Sequence, residues 1–348
     1  MLRGISTSDW HLGGMLRVMP DPVTRMMEEV HKPFRYALEN GIKHVFVPGD
    51  ISDSDQMDSH TFIQLMTLIL TYDQHLVITY LRGNHDVAHK YKTSLDTIEF
   101  MANNGFFKNF RVISSPKAVS IRDVSVGFLP FPYQQVKAKR PPLIFAHVEE
   151  PGALGDNGRP LRVKEDQVRR VAGDFMISGH IHQYQVLEQR RTIYNGSLYQ
   201  KNFGESLPKG FIDFTAEYVK GRLEVNHEFI NSNPNFELRT VKIKKSSDWD
   251  RIKDDPSIRY KVLVDRESGV VVPKDITISR PNIVYLSGVE SLTRVKDVHE
   301  LAEGQISQVP KFSPVRGLRS YLEKSGLDKA LVNEGLRMSK EAWKYLSR

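Results

Sequence analysis

The stretch "DFMISGHIHQYQ", Asp174 to Gln185, decides how the rest of the chain is read. Phe175 to Ile177 is an apolar run suited to a short buried strand. It stops at Ser178-Gly179, and two histidines follow with one residue between them, His180 and His182. One imidazole there is compatible with ordinary packing. Two at that spacing behind a buried strand ask what they hold.

Upstream, three strand-then-helix pairs share one rhythm. Strands are expected over 2–7, 43–48 and 76–82, and helices over 21–40, 58–75 and 94–105. Asp21 serves as the first N-cap, with Pro22 at the first helical position. Such alternation predicts βαβ units and a mostly parallel sheet. From about residue 115 to 240 the segments are β-branched and strand-like, with a hairpin at Lys220-Gly221. The fold class expected is α/β. One domain spans 1–243. A polar break at 244–257 opens a small α+β domain over 244–305, with strands over 260–265 and 282–289. The last piece, 306–348, has helical periodicity; from Lys311 it carries nine Lys/Arg against four Asp/Glu.

The polar residues at the ends of the strands come in five clusters. They are Asp9 and His11 in "SDWH", Asp50 and Asp53 in "GDISD", Asn84, His85 and Asp86 in "GNHD", then His147 after "LIFA", then His180 and His182. Open α/β sheets build their sites at the carboxyl ends of strands. The chain has no cysteine, so a metal site here must use His, Asp, Glu and Asn. In extended chain, residues i and i+2 lie roughly 6–7 Å apart. That separation is too wide for one ion and suits two ions about 3.5–4 Å apart, as in phosphoryl-transfer sites. An Asp on a Gly turn, as at Gly49-Asp50, can bridge such a pair. Ile181 is then a spacer facing the interior. His31, His44, His60, His75, His89, His227 and His299 lack such company and are expected to be structural or solvent-facing.

In this order, D-x-H, G-D-x-x-D, G-N-H-D, a single His and G-H-x-H resemble the calcineurin-like metallophosphoesterase superfamily over residues 9–182. "SDSD" and "HVEE" stand where serine/threonine phosphatases have an Arg after the Asp and two glycines after the His. The segment "YNGSLYQKNFGE" (194–205) and the domain layout look like SbcD-type DNA repair nucleases. The resemblance implies a β-sandwich flanked by helices, a capping domain, and a C-terminal helical segment that binds an SMC-like ABC ATPase of SbcC type. It also implies two divalent ions, manganese foremost. Asp9, His11 and His182 would hold one, Asn84, His147 and His180 the other, and Asp50 would bridge them. His85 would be the unligated catalytic histidine, Asp86 would orient it, and Asp53 would belong to the phosphate site or the exonuclease function. The activity implied is 3′-to-5′ duplex exonuclease and single-strand endonuclease, from a homodimer in a bacterial or phage-infected cytoplasm. The readings kept beside it are a small-molecule or cyclic-nucleotide phosphodiesterase and a non-catalytic scaffold.

Composition is consistent with this. Net charge is +7, which favours an anionic partner such as DNA. No apolar run is long enough to span a membrane, and the first residues lack the features of a secretory signal. No G-x-x-x-x-G-K-[ST] loop is present, so ATP hydrolysis is expected of the partner.

Overall fold

The computed structural model describes residues 1–15, 18–87, 93–132, 143–156, 158–163, 175–273, 276 and 280–287. The compact unit they belong to is Met1–Gly288. The expected C-terminal segment, the capping domain beyond 287, His89 and His299 lie outside the described residues.

Two six-stranded sheets form the centre. The first runs β12-β11-β1-β2-β3-β4, from β1 (Leu2–Ser6), β2 (His44–Pro48), β3 (Val77–Leu81), β4 (Phe110–Ile113), β11 (Gly210–Val219) and β12 (Arg222–Asn231). β1 to β4 are parallel, while β11 and β12 add antiparallel strands at one side. The second sheet runs β5-β6-β7-β8-β10-β9, from β5 (Lys117–Ile121), β6 (Val124–Leu129), β7 (Leu143–His147), β8 (Phe175–Gly179), β9 (Gln185–Leu187) and β10 (Thr192–Tyr194). Its middle is parallel and its two edge strands are antiparallel. The parallel sheet expected from the sequence is thus split in two, each half edged by antiparallel strands.

Alternation along β2 shows why this is a sandwich. Val45 and Val47 face α1 (Pro22–Glu39) and α2 (Ser59–Asp73), packing with Met26, Val30, Phe34, Leu65 and Leu68. Phe46 points the other way, into a core shared with Phe128, Phe145 and Ile177 of the second sheet. Its ring stacks on Phe145 at 4.1 Å between centroids and 10° between planes. β11 and β12 turn at Lys220-Gly221, both with positive φ, as a two-residue hairpin requires.

The helices begin where capping chemistry allows. The Asp58 carboxylate accepts the amides of His60 and Thr61 at the start of α2. Thr93 and Asp96 form a capping box on α3 (Ser94–Asn103). Asp21 precedes α1 as expected, yet its φ is 51° and its side chain accepts only from the Thr24 hydroxyl rather than from helix amides. No described helix is long and apolar enough to cross a membrane.

A third sheet is parallel and runs β13-β14-β15, from β13 (Glu237–Ile243), β14 (Ile258–Val264) and β15 (Ile283–Ser287). Its core holds Trp249, Ile252, Tyr260 and Ile283. β13, placed by the sequence in the first domain, is a full partner of β14. The polar break at 244–257 is the turn between two paired strands, not a linker.

Candidate metal centre

All five motif clusters meet where β1, β2, β3, β7 and β8 end. The loop after β1 runs beside the loop after β2, with Asp9 N donating to the Gly49 carbonyl, His11 N to Asp50 and Leu12 N to Ile51. Gly49 has φ 95°, and a Cβ there would overlap His147 Nδ1. At Gly83 a Cβ would strike the Asp50 carboxylate. Each glycine lets two motif loops approach closely.

Donor atoms gather in two groups. His11 Nε2 and His182 Nε2 are 3.0 Å apart, and the Asp9 carboxylate joins them. Asn84 Oδ1 lies 2.8 Å from His147 Nε2 and 2.9 Å from His180 Nδ1, and those nitrogens are 3.3 Å apart. Asp50 Oδ2 stands between the groups, 3.6 Å from His11 Nε2 and 3.3 Å from His147 Nε2. Donors bound at about 2.1 Å to one cation sit roughly 3.0–3.4 Å apart in octahedral or tetrahedral geometry. The His11–His182 and His147–His180 spacings of 3.0 and 3.3 Å match that edge length, and the two to Asn84 are 0.1–0.2 Å shorter. The residues present fit two cations, with Asp50 reaching both.

His180 and His182 therefore face different groups, and Ile181 between them packs with Ala153 and Tyr194. The route differs from the extended chain expected. Asp9, His11, Asp50 and His180 all have left-handed backbone, with φ of 56°, 44°, 53° and 83°. Those turns bring Asp9 and His11 onto one group despite their i, i+2 spacing. Such conformations cost of order 1–3 kcal/mol each and persist where the surroundings enforce them.

The electrostatics favour cations. Burial opposes charge on His147, yet Asp50 and Asp9 push it up to about 9. Burial likewise opposes charge on His182, but Asp156, Glu205 and Asp9 push it up to about 10. Asp50 ionises against its burial, held well below the usual carboxylate range by His147, His11 and the His85 amide. Burial holds His11 below its ordinary value, and burial together with the neighbouring His147 does the same to His180.

His85 stands outside both groups. Its Nδ1 donates to the Asp53 carbonyl at 2.7 Å, its amide donates to Asp50 Oδ1, and its ring lies edge-on to His11 at 4.7 Å. Asp86, expected to orient this ring, instead accepts the amides of Gly83, Asp50 and Ser52. It ties the second and third motif loops together, while the Asp53 carbonyl holds the ring. Burial, then the Asp50 charge, raises Asp86 to about 6. The Asp53 carboxylate lies 3.3 Å from His11 Nδ1 and 2.7 Å from Lys201 Nζ.

Residues without a role in the sequence reading complete the surroundings. Glu205 and Asp156 each place a carboxylate oxygen 3.0 Å from His182 Nδ1, and buried Lys209 donates to Glu205 at 2.6 Å. Glu149 lies 3.1 Å from His180 Nε2. Glu205 falls in the 194–205 segment and Glu149 in "HVEE"; Asp156 sits in a Gly-rich turn that carries no pattern. A cavity of about 320 Å³ opens beside Asn84, His147 and His180, walled by Phe131, Pro132 and Val148.

Against known proteins, the solved structure of Pseudomonas putida nuclease MPE is similar at 14% identity and a TM-score of 0.33, covering 61% of this chain and 83% of that one. No curated protein matches the sequence significantly. The calcineurin-like phosphoesterase family model matches residues 5–184, just over half of the 348, and spans every motif of the centre. The chain belongs to the calcineurin-like phosphoesterase family, which implies a metal-dependent hydrolase.

Proposed function

We propose that this chain is a two-metal phosphodiesterase that cleaves DNA, the nuclease subunit of an SbcD-type repair and recombination complex. The observation that carries the reading is Asp50 Oδ2 set between two three-residue donor groups. Asp9, His11 and His182 would hold one ion and Asn84, His147 and His180 the other, with manganese suited to this donor set. When bound, two such ions supply a water of lowered pKa as nucleophile and neutralise charge building on phosphorus.

The chain's own groups do the rest. Asp50 Oδ1 accepts the His85 amide, which fixes the Asp50 carboxylate and the His85 backbone together. The Asp53 carbonyl accepts from His85 Nδ1 and orients the ring; as an imidazolium it could give its Nε2 proton to the departing oxygen and be left as the neutral Nδ1–H imidazole. Neutral Asn84 keeps its side of the centre open to an anionic phosphate. The +7 net charge suits contacts to a phosphate backbone. The resemblance in the 194–205 segment supports the DNA substrate, an SMC-like ATPase as partner, and a homodimer.

The test is direct. Manganese-loaded protein is given linear duplex DNA, circular single-stranded DNA and bis-nitrophenyl phosphate. Cleavage of both DNAs, sensitive to added salt, is expected. Hydrolysis of the small ester with both DNAs intact would contradict the reading.

A further inference from the structure

The two donor groups are backed differently. Behind His11 stands Asp53, and behind Asp53 stands Lys201 at 2.7 Å. Behind His182 stand Glu205 and Asp156, and behind Glu205 stands Lys209 at 2.6 Å. Lys201, Glu205 and Lys209 all come from one nine-residue stretch. Asp156 also accepts the His182 amide at 2.9 Å, so one carboxylate fixes both the backbone and the ring. The other group has less behind it. His147 Nδ1 meets only the Pro48 carbonyl, and His180 meets Glu149, whose side chain is 38% exposed against 1% for Glu205.

We infer that Asp156 and Glu205, the latter held by Lys209, form an outer clamp that makes the Asp9–His11–His182 group the tighter cation site. The inference rests on the two-cation reading above. An imidazole that binds a cation through Nε2 must carry its proton on Nδ1. A carboxylate accepting that proton fixes the tautomer and makes the ring a stronger donor, typically by 10–100-fold in metal affinity. His182 has such a carboxylate in Glu205, while the Asp53 carboxylate lies within ion-pair distance of His11 Nδ1. Asp9 against neutral Asn84 favours the same site, and the clamp adds to that difference.

The peripheral groups His11, Asp53, His85 and Asp156, His182, Glu205 also bring donor atoms together. Each already has a lysine ammonium against its carboxylate, so they act as supports rather than further cation sites. The lysines have a consequence of opposite sign. Lys201 Nζ is 3.1 Å from His11 Nδ1, where its charge opposes both that proton and a cation beyond it.

The test titrates metal-free full-length protein with manganese chloride by calorimetry, with folding checked by circular dichroism. Two steps are expected, the weaker identified by its loss of affinity in Asn84→Ala. Asp156→Asn should weaken the tighter step 10-fold or more and move the weaker one less than about 3-fold. Lys201→Met should strengthen the tighter step several-fold, which a merely structural role would not do. If Asp156→Asn fails to fold, Glu205→Gln, which should weaken the same step 10-fold or more, takes its place. A tighter step unmoved in both variants, or weakened in both, overturns the inference. No manganese binding by the unaltered chain would refute the two-cation reading itself.

Discussion

Loading the metal-free centre with divalent cations should expel about two protons at pH 7. His147, pushed up to about 9, and His182, pushed up to about 10, both carry a proton on the metal-free protein. A cation can use their nitrogens only after those protons leave. Freeing each histidine of its proton at pH 7 costs binding free energy, more at His182 than at His147. Affinity should therefore rise with pH, by roughly tenfold per unit at each site up to pH 9. The metal-free protein should behave oppositely. Both histidines have folded pKa values above the ordinary 6.5, so their stabilising charge is fully present below pH 6.5 and is lost as pH rises through 9 to 10. Calorimetry in buffers of differing ionisation enthalpy reads the protons released, and thermal melts from pH 6 to 10 read the stability. No proton release, or pH-independent affinity between 7 and 8, would mean that His147 and His182 are not protonated on the metal-free protein.

Three further outcomes follow from particular contacts. His85→Gln should keep manganese binding within a few-fold and lower DNA cleavage at least 100-fold, because its ring lies outside both donor groups; nuclease assays paired with calorimetry decide it. Gly49→Ala should weaken the Asn84–His147–His180 site most, since the added methyl displaces His147; manganese titration checks which step moves. Phe46→Ala should cost about 3–5 kcal/mol of stability, read by chemical denaturation, because it removes a fully buried ring stacked between the two sheets.

The meeting of the five polar clusters was legible in the sequence because each follows a strand, and strand ends of parallel sheets converge. Which of their side chains would hold cations came from the family resemblance rather than from that rule. What the pattern could not carry was local backbone. Left-handed turns at Asp9 and His11 bring both onto one group, where extended chain would separate them. At Asp86, adjacency to His85 suggests contact, but the carboxylate turns back onto three amides. Asp156 and Lys209 act on His182 through long-range contacts that leave no local spacing to read. The third sheet was truncated because a charged composition break resembles a linker, whereas Ser246–Arg251 forms a short 3₁₀ turn between paired strands.

In the proposed centre Asp50 joins two cations. Equilibrium dialysis of the full-length protein against manganese, with metal content read by mass spectrometry, tests it most directly. Two ions per chain are predicted, and Asp50→Asn should lose affinity at both sites. One ion per chain, or an Asp50→Asn variant that weakens a single site, would mean that Asp50 does not join two cations.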